Sequence, residues 1–416
     1  MDLKGKTVTI IGAARSGLAA ANLVMELGGK VKITDAKPRQ EFEKDLVAIR
    51  DLSRVEIESG GHTREFVLKS DLVVASPGVW RDAEPLAWAR EAGIPVWGEI
   101  EFAWRFCRKP VIAVTGSNGK TTTVTLISKV IEAAGKKVCL CGNVGTPFSA
   151  HVLKDVDYFV VEISSFQLEL IETFRPFIAV LLNFSQNHLD RHPDMQDYFN
   201  AKARLFMNQA SSDFAVLNSR DEWSKKAADK TRARVRFFNK PGETRNPNHL
   251  AVLEVARILG IADTVANKVF DSFRGVEHRL EKVRVLDGVT YINDSKSTTV
   301  EAGRWALSTM TKPVILIAGG HDKGADYSVL REMVKLKVKK LFVLTKEDTT
   351  RGKFHKAFDG AAALADYTDM AEAVSAARKE ALSGETVLLS PMCASFDMFD
   401  NFEHRGRVFK EIVNNL

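Results

Sequence analysis

Residues Lys109 to Gly135 read KPVIAVTGSNGKTTTVTLISKVIEAAG. A β-branched run ends in a glycine-rich turn, and a lysine, a threonine and a stretch with helical apolar spacing follow. Strand, turn and helix in that order describe a phosphate-binding loop, whose general form is G-x-x-x-x-G-K-[ST]. Here the first glycine is missing: Val114 stands where it belongs. The loop is Thr115-Gly116-Ser117-Asn118-Gly119-Lys120-Thr121, shorter by a step, and Thr122 follows it. Backbone N–H groups at a helix N-terminus, with about half a unit of positive charge from the peptide dipoles, suit a phosphate. Lys120 would neutralise phosphate charge and the Thr121 hydroxyl would ligate Mg²⁺. The plainer alternative is a glycine turn carrying a surface lysine.

Upstream, residues 1–98 alternate β-branched runs with helical stretches: TVTIIG, KVKITD, VEIESG, DLVVAS and PVWGE. That rhythm predicts a parallel, doubly wound, Rossmann-like sheet. Its first turn, Gly12-Ala13-Ala14-Arg15-Ser16-Gly17, matches the dinucleotide fingerprint except for Ala14, where the glycine that lets a pyrophosphate approach belongs. Asp35 closes the second strand, where an acid meets a ribose or base, or else caps a tight structural turn.

Downstream, residues 99–280 form a second α/β unit around the phosphate loop, and residues 281–416 a third, with another open parallel sheet expected. The fold class is therefore α/β in three domains. The chain has 416 residues, four cysteines without zinc spacing, and a net charge of +6 with both signs mixed. A basic balance suits a polyanionic ligand such as a nucleotide, while no basic block points to nucleic acid. The N-terminus enters a strand at once, and no apolar run reaches membrane-spanning length. We expect a cytoplasmic protein with reduced, buried thiols and no membrane insertion.

Three further stretches carry chemistry. Glu162 ends the strand YFVVE beside the phosphate loop, placed either to hold a metal or to face solvent as a strand-end acid. His188, Asp190 and His192, from NHLDRH, have the spacing of a metal site or a helix cap. Lys202 lies on a helical stretch with Tyr198, Ala201 and Phe206, and by residue type alone is a solvated surface lysine.

Taken in order, TGSNGKTT, VVEISSFQLE, NHLDRH, YFNAKARL, FRGVEHRLE, NDSKSTT and LLSPMCASFDMF resemble the Mur ligases. These are ATP-dependent amino-acid ligases of peptidoglycan assembly that share a fold with folylpolyglutamate synthases. T-G-[ST]-x-G-K-[ST] is that superfamily's form of the phosphate loop. SSFQLE with SPMCASFDMF resembles the D-glutamate-adding branch, and the DNPR motif of the diaminopimelate-adding branch is absent. The resemblance implies ATP and two Mg²⁺ ions, for which Mn²⁺ substitutes, and a monomer acting on UDP-N-acetylmuramoyl-L-alanine and D-glutamate.

Carried over by position, the resemblance implies the following roles. Gly116, Ser117, Asn118, Gly119, Lys120, Thr121 and Thr122, with Asn246, Arg279 and Asp294, meet ATP. Thr121, Glu162, His188 and Lys202 surround the metal ions, Lys202 as a carbamate. Gly12, Arg15, Ser16, Gly17, Asp35, Ser76 and Asn143 hold the UDP-sugar. Lys296 and Thr298 act near the acyl phosphate or the incoming amino acid, and Thr298, Lys323, Ser395 and Phe402 line the D-glutamate pocket. Lys120, His188, Lys202 and Lys296 are the catalytic set.

Three positions depart from the family pattern. His249 replaces the second asparagine of H-N-x-x-N, Arg220 replaces an acid in NSRD, and Asn187 stands where an acid is common. Three rival readings leave residues unexplained. Another member of the family, adding a different amino acid or glutamylating a folate, leaves the D-glutamate pocket motif and the UDP-type first domain unexplained. A nicotinamide oxidoreductase leaves the phosphate loop without a purpose. A nucleic-acid-stimulated motor lacks an Asp-Glu strand end.

Overall fold

The computed structural model describes residues 1–185, 191–322 and 324–416, and of Glu301 only the backbone. Asn187, His188, Asp190 and Lys323 lie outside the described residues. The five quoted runs of the first hundred residues become β1 (Thr7–Ile11), β2 (Lys30–Asp35), β3 (Val55–Ser59), β4 (Leu72–Ala75) and β5 (Val96–Gly98). They form a parallel sheet in the order β3-β2-β1-β4-β5. The order reverses between β1 and β4, which opens a crevice beyond their carboxyl ends. Gly12 and Ser76 follow those two strands.

The second sheet contains β6 (Val111–Thr115), β7 (Val138–Gly142), β8 (Tyr158–Glu162), β9 (Ile178–Leu181), β10 (Phe214–Asn218) and β11 (Arg234–Phe238). Its order is β11-β10-β9-β6-β8-β7, all parallel. Every residue of β6 is buried, as expected of a strand covered on both faces. Because β6 lies between β8 and β9, the phosphate loop, Glu162 and the residues after Leu181 emerge side by side. Helix Lys120–Ala133 buries Val124, Leu126, Ile127, Val130 and Ile131, each stabilising by about 1.5–3 kcal/mol. That packing holds the end of the helix which carries Lys120 and Thr121.

The third sheet holds β12 (Glu281–Leu286), β13 (Val289–Asn293), β14 (Val314–Gly319), β15 (Val338–Leu344), β16 (Ala363–Tyr367) and β17 (Thr386–Met392). Its order is β12-β13-β17-β14-β15-β16. The expected parallel sheet is present in five strands, but β12 runs antiparallel to β13. Asp287 and Gly288 between them have φ of 51° and 78°, the backbone of a two-residue hairpin turn.

The chain divides into two compact units, residues 1–273 and 274–416. Within the first unit, one apolar cluster runs from Leu3 and Ile10 through Phe102 and Phe159 to Leu217, so the first two sheets share a core. All four cysteines are free, and Cys139, Cys141 and Cys393 are buried. Among the described residues, no helix is long and apolar enough to cross a membrane.

Candidate active site

One asparagine holds the phosphate loop at two successive residues. Asn183, just past β9, accepts the Ser117 N–H through its carbonyl oxygen at 3.0 Å. Its side chain accepts the Asn118 N–H at 2.9 Å and donates to the Asn118 carbonyl at 3.1 Å. Gly119 has φ of +81°, the left-handed backbone that favours glycine, and a Cβ there would lie 2.5 Å from Asn248 Oδ1 and displace that amide. Lys120 Nζ folds back onto the carbonyls of Gly116 and Ser117 at 2.9 and 3.1 Å. Thr121 is buried and Thr122 half-buried in the first turn of the helix.

Glu162 and Lys202 lie deeper. Glu162 is 2% exposed. Its Oε1 accepts from Asn143 Nδ2 at 2.8 Å, while Oε2 is buried without a hydrogen-bond partner among the described residues. The expectation of a solvated Lys202 is overturned: the residue is 1% exposed. Its helix, Met195–Ala203, also buries Tyr198, Phe199 and Ala201, and that face carries Lys202 inward. Nζ donates to Thr115 Oγ1 at 3.3 Å and to the Gly116 carbonyl at 3.1 Å. Burial, and next the charge of Lys120, push the ammonium well below the ordinary lysine range, with Glu162 pulling the other way. A buried carboxylate oxygen without a partner among the described residues, at the end of the strand paired with the one that leads into the phosphate loop and its buried Thr121, is a donor set that fits a hard divalent cation. His192 belongs to a different structure: its ring meets Asp197 at 2.8 Å and Ser165 at 3.0 Å.

In the first sheet, the fingerprint turn is built by the residues expected to hold ligand. Asp35 accepts the N–H of Ala13 at 2.7 Å and of Lys37 at 2.9 Å, which is the capping arrangement. Ser76 Oγ donates to the Gly12 carbonyl at 2.9 Å. A Cβ on Gly17 would fall 2.0 Å from that carbonyl, so close packing of helix on turn excludes a side chain. Helix Arg15–Glu26 begins with no side-chain cap and no acid in its first turn, leaving Arg15 and Ser16 at its positive end. Asn143, expected at the sugar, spends its amide on Glu162.

In the second unit, Asp294 accepts from the Leu280 N–H at 3.1 Å and from Ser390 Oγ at 3.0 Å. Burial pushes its carboxyl up to about 6. Arg279 has a buried Nε without a hydrogen-bond partner among the described residues. Lys296 Nζ lies 5.7 Å from the centre of the Phe402 ring. Thr298 is half-buried and Ser395 buried. Ser295 Oγ donates to the Phe402 carbonyl at 2.9 Å, which joins the NDSKSTT loop to the start of helix Phe402–Asn414.

Three family models cover the chain: the Mur ligase MurD-like N-terminal domain at residues 6–98, the Mur ligase middle domain at 114–257, and the Mur ligase glutamate ligase domain at 278–393. The UDP-N-acetylmuramoylalanine–D-glutamate ligase of Koribacter versatilis is 38% identical, the alignment covering 100% of this chain and 99% of that protein. The enzyme of the same name from Pelotomaculum thermopropionicum is 40% identical, with the same coverage. The chain belongs to the Mur ligase family. Solved Mur ligases share the fold at low identity. MurF of Thermotoga maritima, solved with ADP, has a TM-score of 0.61 at 15% identity, covering 99% of this chain and 96% of that one. MurC of the same organism has a TM-score of 0.60 at 17% identity, covering 99% of each chain.

Membership in the Mur ligases removes the oxidoreductase and motor readings. The structure also adds residues that the sequence did not single out. In the H-N-x-x-N region, Asn246 caps helix Pro247–Ile258 by accepting the Asn248 N–H at 2.9 Å. Asn248 is the amide packed against Gly119, while His249 stacks on Phe270 with ring centres 4.2 Å apart. Arg220 donates to the carbonyls of Lys240 and Glu243 at 3.1 and 3.2 Å. Arg191 donates to the carbonyls of Pro77 at 3.2 Å and Val79 at 2.8 Å, and to Glu169 at 2.9 Å. It thereby ties the central sheet to the loop after Ser76. Arg191 lay within NHLDRH, yet nothing in its spacing separates it from a solvated arginine.

Proposed function

We propose that this Mur ligase couples ATP cleavage to addition of D-glutamate to UDP-N-acetylmuramoyl-L-alanine through an acyl phosphate, in peptidoglycan precursor synthesis. The observation that carries this is full-length identity of 38 and 40% to enzymes bearing that name. A carboxylate oxygen of the L-alanine attacks the γ-phosphorus and ADP leaves. The amine of D-glutamate then attacks the acyl carbon, and the tetrahedral intermediate expels phosphate. Both steps concentrate negative charge, which preorganised cations and N–H groups stabilise.

Gly116 to Thr122, with Lys120 as the main cation, cradle the ATP phosphates, and Asn246, Arg279 and Asp294 complete the nucleotide site. Thr121, Glu162, His188 and a carbamylated Lys202 hold two Mg²⁺ ions, replaceable by Mn²⁺. Bound there, the ions supply Lewis-acid stabilisation of phosphoryl oxygens. Gly12, Arg15, Ser16, Gly17, Asp35, Ser76 and Asn143 hold the UDP-sugar; the uncapped helix start at Arg15 supports a pyrophosphate there. Lys296 steadies the acyl phosphate, and Thr298, Lys323, Ser395 and Phe402 bind D-glutamate. The three domains are those read at residues 1–98, 99–280 and 281–416, with the last boundary moved back to Arg274 by the hydrogen bonds of residues 274–280, and the enzyme works as a cytoplasmic monomer without nucleic acid. The test is phosphate release from ATP in the presence of UDP-N-acetylmuramoyl-L-alanine and a panel of amino acids. Release dependent on D-glutamate is expected; folded protein that shows none would sink the reading.

A further inference from the structure

Arg405 is 2% exposed, among the largest fully buried side chains of the chain, and the partners of its guanidinium are neutral. Nε donates to Ser295 Oγ at 3.0 Å and Nη2 to the Ser295 carbonyl at 2.9 Å. Nη1 donates to the carbonyls of Cys393 and Ala394, both at 3.2 Å, and Nη2 reaches Cys393 as well at 3.2 Å. The same Ser295 hydroxyl donates to the carbonyl of Phe402, one helical turn before Arg405. A Cβ placed on Gly320 would lie 3.2 Å from Nη1, so the turn after β14 also closes on this group. Ala394 and His321 exchange backbone hydrogen bonds at 2.9 and 3.1 Å, which fixes that turn to the Cys393–Ala394 segment.

Burying a guanidinium is costly unless its N–H groups are satisfied. Here they are satisfied by backbone from separate segments, so the charge acts as a rigid fork holding loops together. Those loops contain the residues assigned to the amino acid. Ser295 directly precedes Lys296 and lies in the Thr298 loop, Ala394 directly precedes Ser395, and Phe402 begins the helix of Arg405. The ATP-side Asp294 has independent ties to Leu280 and Ser390.

We propose that Arg405 is the positioning residue of the amino-acid subsite, setting the relative placement of the Thr298 loop, Ser395 and the start of the Phe402 helix. This rests on the proposed D-glutamate pocket and adds a residue that never touches the substrate.

The test compares wild type, Arg405→Lys and Ser295→Ala for the KM of D-glutamate, ATP and UDP-N-acetylmuramoyl-L-alanine, with kcat and the urea midpoint of each. Lysine keeps the charge but not the fork. Losing one charge-assisted bond of about 1.5–3 kcal/mol at the loop junction raises the D-glutamate KM by roughly tenfold to a hundredfold in Arg405→Lys. The KM values for ATP and the UDP-substrate stay within about threefold. Ser295→Ala, which removes one acceptor and the grip on Phe402, shifts the same parameter in the same direction. It also carries the test if Arg405→Lys does not fold. An unchanged D-glutamate KM in both folded variants overturns the proposal, as does a parallel rise in all three KM values. If wild type responds to another amino acid, the reading of D-glutamate fails, and the proposal stands or falls on that amino acid's KM. If wild type responds to none, both fall.

Discussion

Lys202 and Asp294 are charged side chains taken out of water, and each yields a test at its own atoms. Lys202 has a threonine hydroxyl and a carbonyl for partners, beside a carboxylate oxygen that lacks one among the described residues. A carbamate there would replace a cation by two oxygens able to meet a metal, and it needs the neutral amine that burial favours. Protein equilibrated with ¹³C-bicarbonate and Mg²⁺ should give a carbamate carbon resonance that Lys202→Ala lacks. Identical spectra would remove the carbamate from this site. Asp294 titrates at about 6 against an ordinary 3.8. Between those values the native chain holds a proton that the unfolded chain has released, so stability falls as pH rises through the window. Asp294→Asn cannot ionise and escapes that loss. Its stability relative to wild type should therefore climb by up to about 3 kcal/mol from about pH 4 to about pH 7. Urea titrations that give a pH-independent difference would show that the carboxyl is not perturbed. Neither environment was legible in the sequence. Lys202 lies on a helix of weak amphipathic contrast, and nothing local says that its face turns toward the phosphate loop.

Secondary-structure elements were far more legible than these environments. The runs named in the first domain all became strands, because continuous β-branched runs between turn residues leave little alternative. Glu162 could be placed because a parallel strand next to a phosphate-loop strand must end in the same crevice. The sequence DGVTYIN carried a hairpin signal in Asp287-Gly288, but the strand–helix rhythm of the third domain suggested a wholly parallel sheet instead. Arg191 and Asn248 escaped because their partners are loops distant in sequence. The phosphate loop and the fingerprint turn are separate elements on separate sheets, so their ligands should separate too. Lys120 folds onto its own loop. Lys120→Ala should lower kcat by about a thousandfold or more, the scale of losing a preorganised charge at a developing anion. Calorimetric titration should leave UDP-substrate affinity within about threefold of wild type. A large loss of that affinity would show the two elements acting as one.

At the scale of the whole molecule, the three family-model segments and the two compact units describe different things. Residues 1–98 and the central sheet share an apolar core, whereas the clusters containing Val300 and Val289 draw only on residues beyond 273. The division at Arg274 precedes the boundary read from sequence at Glu281, and the difference is physical. Residues 274–280 belong to the second unit by hydrogen bonding: His278 N–H donates to Glu281 at 2.9 Å, the His278 ring meets Asn293 at 2.9 Å, and Leu280 N–H donates to Asp294 at 3.1 Å. The His278 carbonyl accepts the Lys296 N–H at 3.0 Å, and Lys410 reaches Glu277 at 2.9 Å. A sequence reading missed this segment because it has no strand or helix period of its own. A unit with its own core can fold alone, so a fragment of residues 274–416 should unfold cooperatively in urea. A fragment of residues 281–416 loses these contacts and leaves the buried groups of Asn293 and Asp294 short of partners. At about 1–3 kcal/mol for a buried group left unsatisfied, its midpoint should lie clearly lower, with a similar denaturant slope. Equal midpoints for the two fragments would return the boundary to Glu281.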